Sequence, residues 1–358
     1  METRIYGTIG PACHNTDTLA RLFAEGMTGV RLNLSHTSLA DAADWISNIQ
    51  QAYEMAGGEH SASDAKSTLD RPELLVDLQG PELRIGNMNM EPELSVGGEV
   101  ALVPEGCLTG AGEIPVPAAL LPHLKPGQEV LLDDGRILLA VKRLYPTEDG
   151  CASECVVMCE ILRGGLLHSR KSIALLGVEV KTPTLTEHDL QNIRDAKKYH
   201  VTGVMLPFVR GREDLLCLRE TLEKENAAHL KILAKIENLD GVKRLPELLP
   251  HCDEIVIARG DLGNAMPLWE LPVVQAQIAS ACRAAQKPFM IVTQMLASME
   301  KNSVPTRAEV SDIFRAVEEG ASSVMLTGET AAGAYPVEAM RYFVKTVRAA
   351  ENYLQRTK

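Results

Sequence analysis

The 358-residue chain carries 36 lysines and arginines against 48 aspartates and glutamates, a formal charge of −12. That balance argues against a nucleic-acid scaffold, which gains affinity by releasing phosphate counterions, and the apolar runs fall far short of the ~20 residues needed to span a bilayer. With 45 % hydrophobic and 23 % charged residues, eight scattered cysteines and no apolar leader in residues 1–11, the chain reads as a cytoplasmic enzyme without nucleic-acid or membrane partners.

Short β-branched runs alternate with amphipathic stretches, the pattern of βα units around a parallel sheet. A strand is predicted at Arg4–Thr8, then a helix from Thr18 to Glu25, capped by Asp17 and stopped by Gly26. Gly29–Leu34 is the second strand, with its helix starting near Ser38, and Gly57–Leu69 reads as a polar surface loop. The third strand is Leu74–Leu78.

From Ile85 to Gly177 the rhythm changes to a short period-two pattern punctuated by Gly and Pro. Glu129–Leu132 and Ile137–Val141, separated by Asp133-Asp134-Gly135, read as a hairpin. This stretch is assigned to an inserted all-β lid domain, residues 85–177. Cys151, Cys155 and Cys159 share one face of a strand at even spacing, but no Cys-x-x-Cys or histidine partner accompanies them, which favours core packing over metal.

The βα rhythm resumes at Thr186, placed to cap a helix reaching Tyr199. Strands follow at Gly203–Leu206, Lys231–Ile236, Glu254–Ala258, Phe289–Val292 and Ser323–Leu326, with long helices at Leu271–Gln286 and Val337–Gln355. Three strands before the insertion and five after it give eight, so the predicted fold is a TIM (β/α)8 barrel formed by residues 1–84 and 178–358.

Active sites of such barrels lie at the C-terminal ends of the strands. Those ends carry Arg31, Asn33, Ser35 and His36 on the second strand, Asp77, Leu78 and Arg84 on or after the third, and Lys235 with Glu237 on the fifth. The sixth contributes Gly260 and Asp261, and the seventh Thr293. Glu237 and Asp261 from adjacent strands suit Mg²⁺, which takes one or two carboxylates and completes its octahedron with substrate oxygens and water. Lys235 and Arg31 supply positive charge for a transferring phosphoryl group. Read singly, Lys235 and Glu237 serve equally as a buried structural ion pair; convergence with Asp261 and Arg31 favours chemistry.

The stretches Thr8–Ala12, Arg31–His36, Gly80-Pro81-Glu82, Lys235–Asn238, Ala258–Gly263, Thr293–Leu296, Pro305–Glu309 and Leu326–Thr330 resemble the motifs of the pyruvate kinase family, in that family's order. The resemblance implies transfer of the phosphoryl group of phosphoenolpyruvate to ADP, giving pyruvate and ATP in glycolysis. It assigns Lys235 to the phosphoryl transition state and enolate, Arg31 to the transferring phosphate, and Glu237 and Asp261 to Mg²⁺ (or Mn²⁺). Gly260, Asp261 and Thr293 would hold the substrate carboxylate, with Thr293 near the proton path to the enolate carbon. Asn33, Ser35, Asp77 and the Leu78 carbonyl would form a K⁺ site, and Glu82 implies K⁺ dependence. Arg84, His36 and Lys171 would lie near the nucleotide phosphates.

The chain departs from the family at Leu78-Gln79, at Pro207 and Ala265, and through the hinge stretch Lys171–Gly177. A C-terminal regulatory domain with its sugar-phosphate site is expected to be absent. The resemblance then implies a homodimer, paired through Leu268–Gln277 and Pro305–Phe314. Two alternatives stay open here: a non-catalytic or regulatory paralogue, and a metal-dependent aldolase or decarboxylase of pyruvate or oxaloacetate on the same barrel.

Overall fold

The computed structural model describes residues 2–35, 37–57, 71–80, 83–106, 112–133, 135–145, 156–178, 180 and 182–357. The chain divides into two compact units, one formed by Met1–Gly80 with Thr184–Lys358 and one by Pro81–Pro183.

The first unit is a closed barrel of eight parallel strands: β1 (Arg4–Thr8), β2 (Gly29–Asn33), β3 (Glu73–Asp77), β4 (Gly203–Leu206), β5 (Lys231–Ile236), β6 (Glu254–Ala258), β7 (Phe289–Val292) and β8 (Ser323–Leu326). Each strand pairs with its neighbours in chain order, and β1 closes the ring on β8 through Arg4 opposite Ser323 and Gly7 opposite Leu326. Strands buried on both faces read as nearly continuous apolar runs, which is why their limits were legible. Tyr6, Leu75, Met205, Leu233, Val256, Met290 and Met325 pack as one buried cluster on the strands. At the N-terminal end of the barrel Arg4 pairs with Glu73 at 3.2 Å and Glu254 at 2.7 Å, while Tyr6 also donates to Glu73 and Ser323 to Glu254. A network of this kind at the barrel's lower face belongs to stability rather than to chemistry.

The main helices are α1 (Thr16–Ala24), α2 (Ala43–Met55), α3 (Glu187–Asp195), α4 (Arg212–Lys224), α5 (Leu271–Ala284), α6 (Arg307–Glu318) and α7 (Pro336–Thr357). Of the starts and ends that differ from the sequence reading, three have a plain local reason. Asn15, not Asp17, caps α1, because its side chain accepts the Thr18 N–H at 2.9 Å and leaves Asp17 in the first turn. The residues from Ser38 form a turn instead of a helix start: the Ser38 hydroxyl accepts the Asp41 N–H at 3.1 Å and donates back to its carboxylate. Thr186 caps α3 in a reciprocal capping box with Asp189, but the helix stops at Asp195, short of Tyr199. On α7 the apolar stripe Met340, Phe343, Val344 and Val347 is buried. Among the described residues no helix is long and apolar enough to cross a membrane.

The inserted unit has its own core, which includes Leu102, Val116, Val130, Leu139 and Val157. Its six-stranded sheet includes the hairpin Glu129–Leu132 and Ile137–Tyr145, whose turn places Asp133 at φ +49° and Gly135 at φ +77°. Cys159 is buried in this sheet. Asp134, Cys151, Cys155 and the loop 58–69 lie outside the described residues.

Candidate active site

The C-terminal ends of β2, β3 and β5 bring four of the expected side chains into one buried ion cluster. Asp77, the last residue of β3, is 2 % exposed and sits between two cations. Arg31 donates to its Oδ2 through Nη2 at 2.5 Å and Nε at 3.0 Å, and Lys235 Nζ stands 3.1 Å from the same oxygen. Lys235 also contacts Glu237 Oε1 at 2.9 Å, since residues two apart on a strand share a face. The other oxygen of Glu237 accepts the Phe208 backbone N–H at 2.7 Å. The third donor of Arg31, Nη1, reaches Thr8 Oγ1 at 3.3 Å, and that hydroxyl donates to the Leu326 carbonyl. The guanidinium is thereby fixed by β1, β3 and, through Thr8, β8.

Burial alone would raise the Asp77 carboxyl, but Lys235 and Arg31 hold it below the ordinary carboxylate range. Burial would likewise lower the Lys235 ammonium; Asp77 and Glu237 overcome that and raise it above the ordinary lysine value. Both groups are charged throughout the neutral range.

Asp261 lies half-buried in the first turn of a short helix, Arg259–Asn264, that follows β6 directly. Gly260 precedes it, and a Cβ there would stand 3.0 Å from Thr293 Cγ2, so a side chain at that position would make the Thr293 methyl give way by a few tenths of an ångström. Thr293 follows β7 with φ +78°. Asn33 is half-buried and its side-chain oxygen accepts the Ser35 N–H at 3.2 Å, while Leu78 is buried next to Asp77.

Two expected nucleotide contacts, Arg84 and Lys171, belong to the inserted unit. Arg84 Nη1 donates to the Arg170 carbonyl at 2.8 Å, and Lys171 pairs with Asp133 Oδ1 at 2.8 Å across the hairpin turn. His36 and Glu82 lie outside the described residues.

Sequence reasoning gave no role to several residues that shape this mouth. Glu329, 1 % exposed, accepts the backbone N–H groups of Leu296 at 2.9 Å and Thr327 at 2.8 Å, tying together the loops after β7 and β8. Asp189 is fully buried and accepts the N–H groups of Gln79 and Gly80, joining α3 to the segment after β3. Arg259 and Asp312 form a bidentate pair. The Thr327–Thr330 stretch and the Thr186-x-x-Asp189 box were visible signals for the first two; Asp312 offered none.

The family model for the pyruvate kinase barrel domain matches residues 1–340. The chain is 38 % identical over 356 residues to a pyruvate kinase of Geobacillus stearothermophilus, covering 99 % of this chain and 58 % of that protein. It is 37 % identical over 358 residues to pyruvate kinase of Staphylococcus aureus, covering 98 % and 58 %, and 36 % identical over 360 residues to pyruvate kinase PKLR of Rattus norvegicus, covering 98 % and 60 %. The chain thus spans somewhat over half the length of these curated relatives. The eight-stranded barrel, the inserted β unit and the ordered motifs agree with that match, and the chain belongs to the pyruvate kinase family.

Proposed function

We propose that this chain transfers the phosphoryl group of phosphoenolpyruvate to ADP, forming ATP and pyruvate. The observation that carries the reading is the buried cluster in which Lys235 and Arg31 present two fixed cations around Asp77 at the mouth of a family barrel. Preorganised positive charge of this sort stabilises a phosphoryl group in transit and needs no rearrangement at the moment of reaction.

Glu237 and Asp261 fit a divalent cation by their chemistry, two hard carboxylates at the ends of adjacent strands. When bound there, Mg²⁺ or Mn²⁺ would supply charge neutralisation to the substrate oxygens. Asn33, Ser35, Asp77 and the Leu78 carbonyl form an all-oxygen set suited to K⁺. In the reaction the P–O bond to the enol oxygen breaks, a bond to the terminal phosphate oxygen of ADP forms, and the enolate takes a proton at its terminal carbon. Lys235 and Arg31 hold the phosphoryl oxygens, Gly260 and Asp261 with Thr293 orient the substrate carboxylate, and Thr293 directs the proton. Arg84, Lys171 and His36 are assigned to the nucleotide. The cytosol is the proposed compartment, supported by five free cysteines among the described residues.

The test is formation of pyruvate from phosphoenolpyruvate and ADP by the full chain, followed by coupled reduction, with Mg²⁺ and K⁺ present or withheld. Turnover that depends on Mg²⁺ supports the reading; no pyruvate under any combination overturns it. Glu237→Gln is expected to weaken Mn²⁺ binding about tenfold or more, measured by electron paramagnetic resonance on the free and loaded protein. Unchanged Mn²⁺ affinity would remove Glu237 from the metal site.

A homodimer is proposed on a further observation. Leu268, Trp269 and Val273 are 69 %, 80 % and 58 % exposed at the start of α5, a cluster of apolar side chains on one short segment. Such a patch, paired on itself by a two-fold axis, forms the commonest oligomer. Trp269→Glu should convert a particle of twice 38.9 kDa into one of 38.9 kDa in light scattering after size-exclusion chromatography. A parent that already runs as a monomer or as a tetramer excludes the dimer.

A further inference from the structure

Thr293 and Gln294, directly after β7, have φ of +78° and +55°. Left-handed backbone is uncommon outside glycine and exceptional for a β-branched residue, so two such residues in succession persist only where neighbours impose them. Here the neighbours are explicit. Arg259 donates to the Thr293 carbonyl through Nη2 at 2.8 Å and Nε at 3.2 Å, and its Nη2 lies 2.9 Å from Met295 Sδ. The remaining nitrogen, Nη1, donates to both carboxylate oxygens of Asp312 on α6, at 2.8 and 2.7 Å. The Arg259 side chain is 11 % exposed, so this geometry is held by packing as well as by charge.

Gly260 completes the clamp from the other side. A Cβ on Gly260 would stand 3.0 Å from Thr293 Cγ2 and 3.8 Å from Thr293 Oγ1, which shows that the methyl of Thr293, more than its hydroxyl, is turned toward Gly260. With the carbonyl fixed by Arg259 and the methyl seated against Gly260, the direction of the hydroxyl is determined.

We propose that Arg259 and Asp312 are positioning residues that set the orientation of the Thr293 hydroxyl toward the terminal carbon of the enolate. The inference rests on the functional reading above and names the device that keeps Thr293 in place. Asp312 orients the guanidinium, and the guanidinium holds the carbonyl by two donors in a fixed fork. A lysine in place of Arg259 retains the charge opposite Asp312 but cannot offer that fork.

The experiment compares the full chain with Arg259→Lys, Asp312→Asn and Asp312→Glu. Three readouts are taken: kcat and KM for phosphoenolpyruvate, thermal unfolding, and exchange of the methyl protons of pyruvate with deuterium in the presence of ATP, Mg²⁺ and K⁺, followed by NMR. Arg259→Lys is expected to lower kcat and methyl exchange together by about 10- to 100-fold, with KM within about threefold, because a misplaced group costs the chemical step more than binding. Asp312→Asn should lose about tenfold, and Asp312→Glu should recover part of that loss. Variants that unfold at lower temperature yet keep parental kcat, KM and exchange would overturn the inference, as would Arg259→Lys within twofold of the parent. Should Arg259→Lys not fold, the two Asp312 variants decide the matter by the same readouts. A parent that forms no pyruvate overturns the functional reading and this inference together, whereas an active parent with unaffected variants overturns this inference alone.

Discussion

Lys235→Met is expected to reduce phosphoryl transfer by about 10²–10³-fold while the barrel remains folded. Methionine keeps the length of the side chain and removes its charge. The lost ammonium is the one that stands 3.1 Å from Asp77 and 2.9 Å from Glu237, so the variant deletes the cation shared by both carboxylates. Neither acid is then left bare: Asp77 keeps two bonds from Arg31, and Glu237 keeps the Phe208 N–H. Turnover in the coupled assay and thermal unfolding of the same preparation separate the two consequences. Activity within a few-fold of the parent would take Lys235 out of the reaction. The raised lysine pKa also fixes a pH dependence. A group whose folded value lies above its unfolded one, about 10.4 for lysine, adds stability that is complete below the unfolded value and is lost as pH rises through the folded one. An alkaline loss of activity well below pH ~10 therefore has another origin than Lys235.

Asp77→Ala carries the second large effect, and this one falls on stability. Removing the carboxylate leaves Arg31 and Lys235 facing each other, with side chains 13 % and 12 % exposed. Deleting one member of a buried ion cluster costs about 3–5 kcal/mol, which for a unit of this size corresponds to a fall of about 6–20 °C in the unfolding temperature. Calorimetry or circular dichroism measures it, and a change of under about 1 °C would show that the cations find other partners. The sign with pH is the reverse of the lysine case. The depressed Asp77 contributes stability that is present above its unfolded pKa of about 3.9 and is lost as pH falls through its lower folded value. Asp77→Ala should accordingly flatten the acid limb of the stability curve.

The strands were legible because a parallel barrel buries both faces of each one, and six of the eight, Arg4–Thr8 and the five from Gly203–Leu206 to Ser323–Leu326, have the limits read from the sequence. Helix starts depend on single side chains, and there the reading slipped. Asn15 and Asp17 are both good caps in isolation, and only the extended backbone at Asn15 decides between them. The residues of the ion cluster were legible for a different reason: Arg31, Asp77, Lys235 and Glu237 are charged residues at the ends of otherwise apolar strands, where solvation alone does not account for them. Arg259 and Asp312 meet across 53 positions of sequence, and no periodicity links the end of a strand with the surface of a later helix. Glu329 lay inside a visible motif, Thr327–Thr330, but its role did not show, because what it holds is backbone N–H, which leaves no trace in the residue types of its partners. Lys171 was expected near the nucleotide phosphates; its contact with Asp133 was not legible, because it depends on the left-handed turn at that residue.

Closure of the barrel through Arg4 and Ser323 has a consequence for how the protein is made. The first barrel strand must wait for the last before its second edge is paired, so the nascent barrel exposes an open strand until β8 is translated. The inserted unit is under no such delay, since its core draws on residues between Leu83 and Val180 and is complete before β4 is translated. A chain stalled shortly after Pro183 would carry a finished β unit tethered to three unsealed strands, which makes that interval the one in which nascent chains most need protection from pairing with each other.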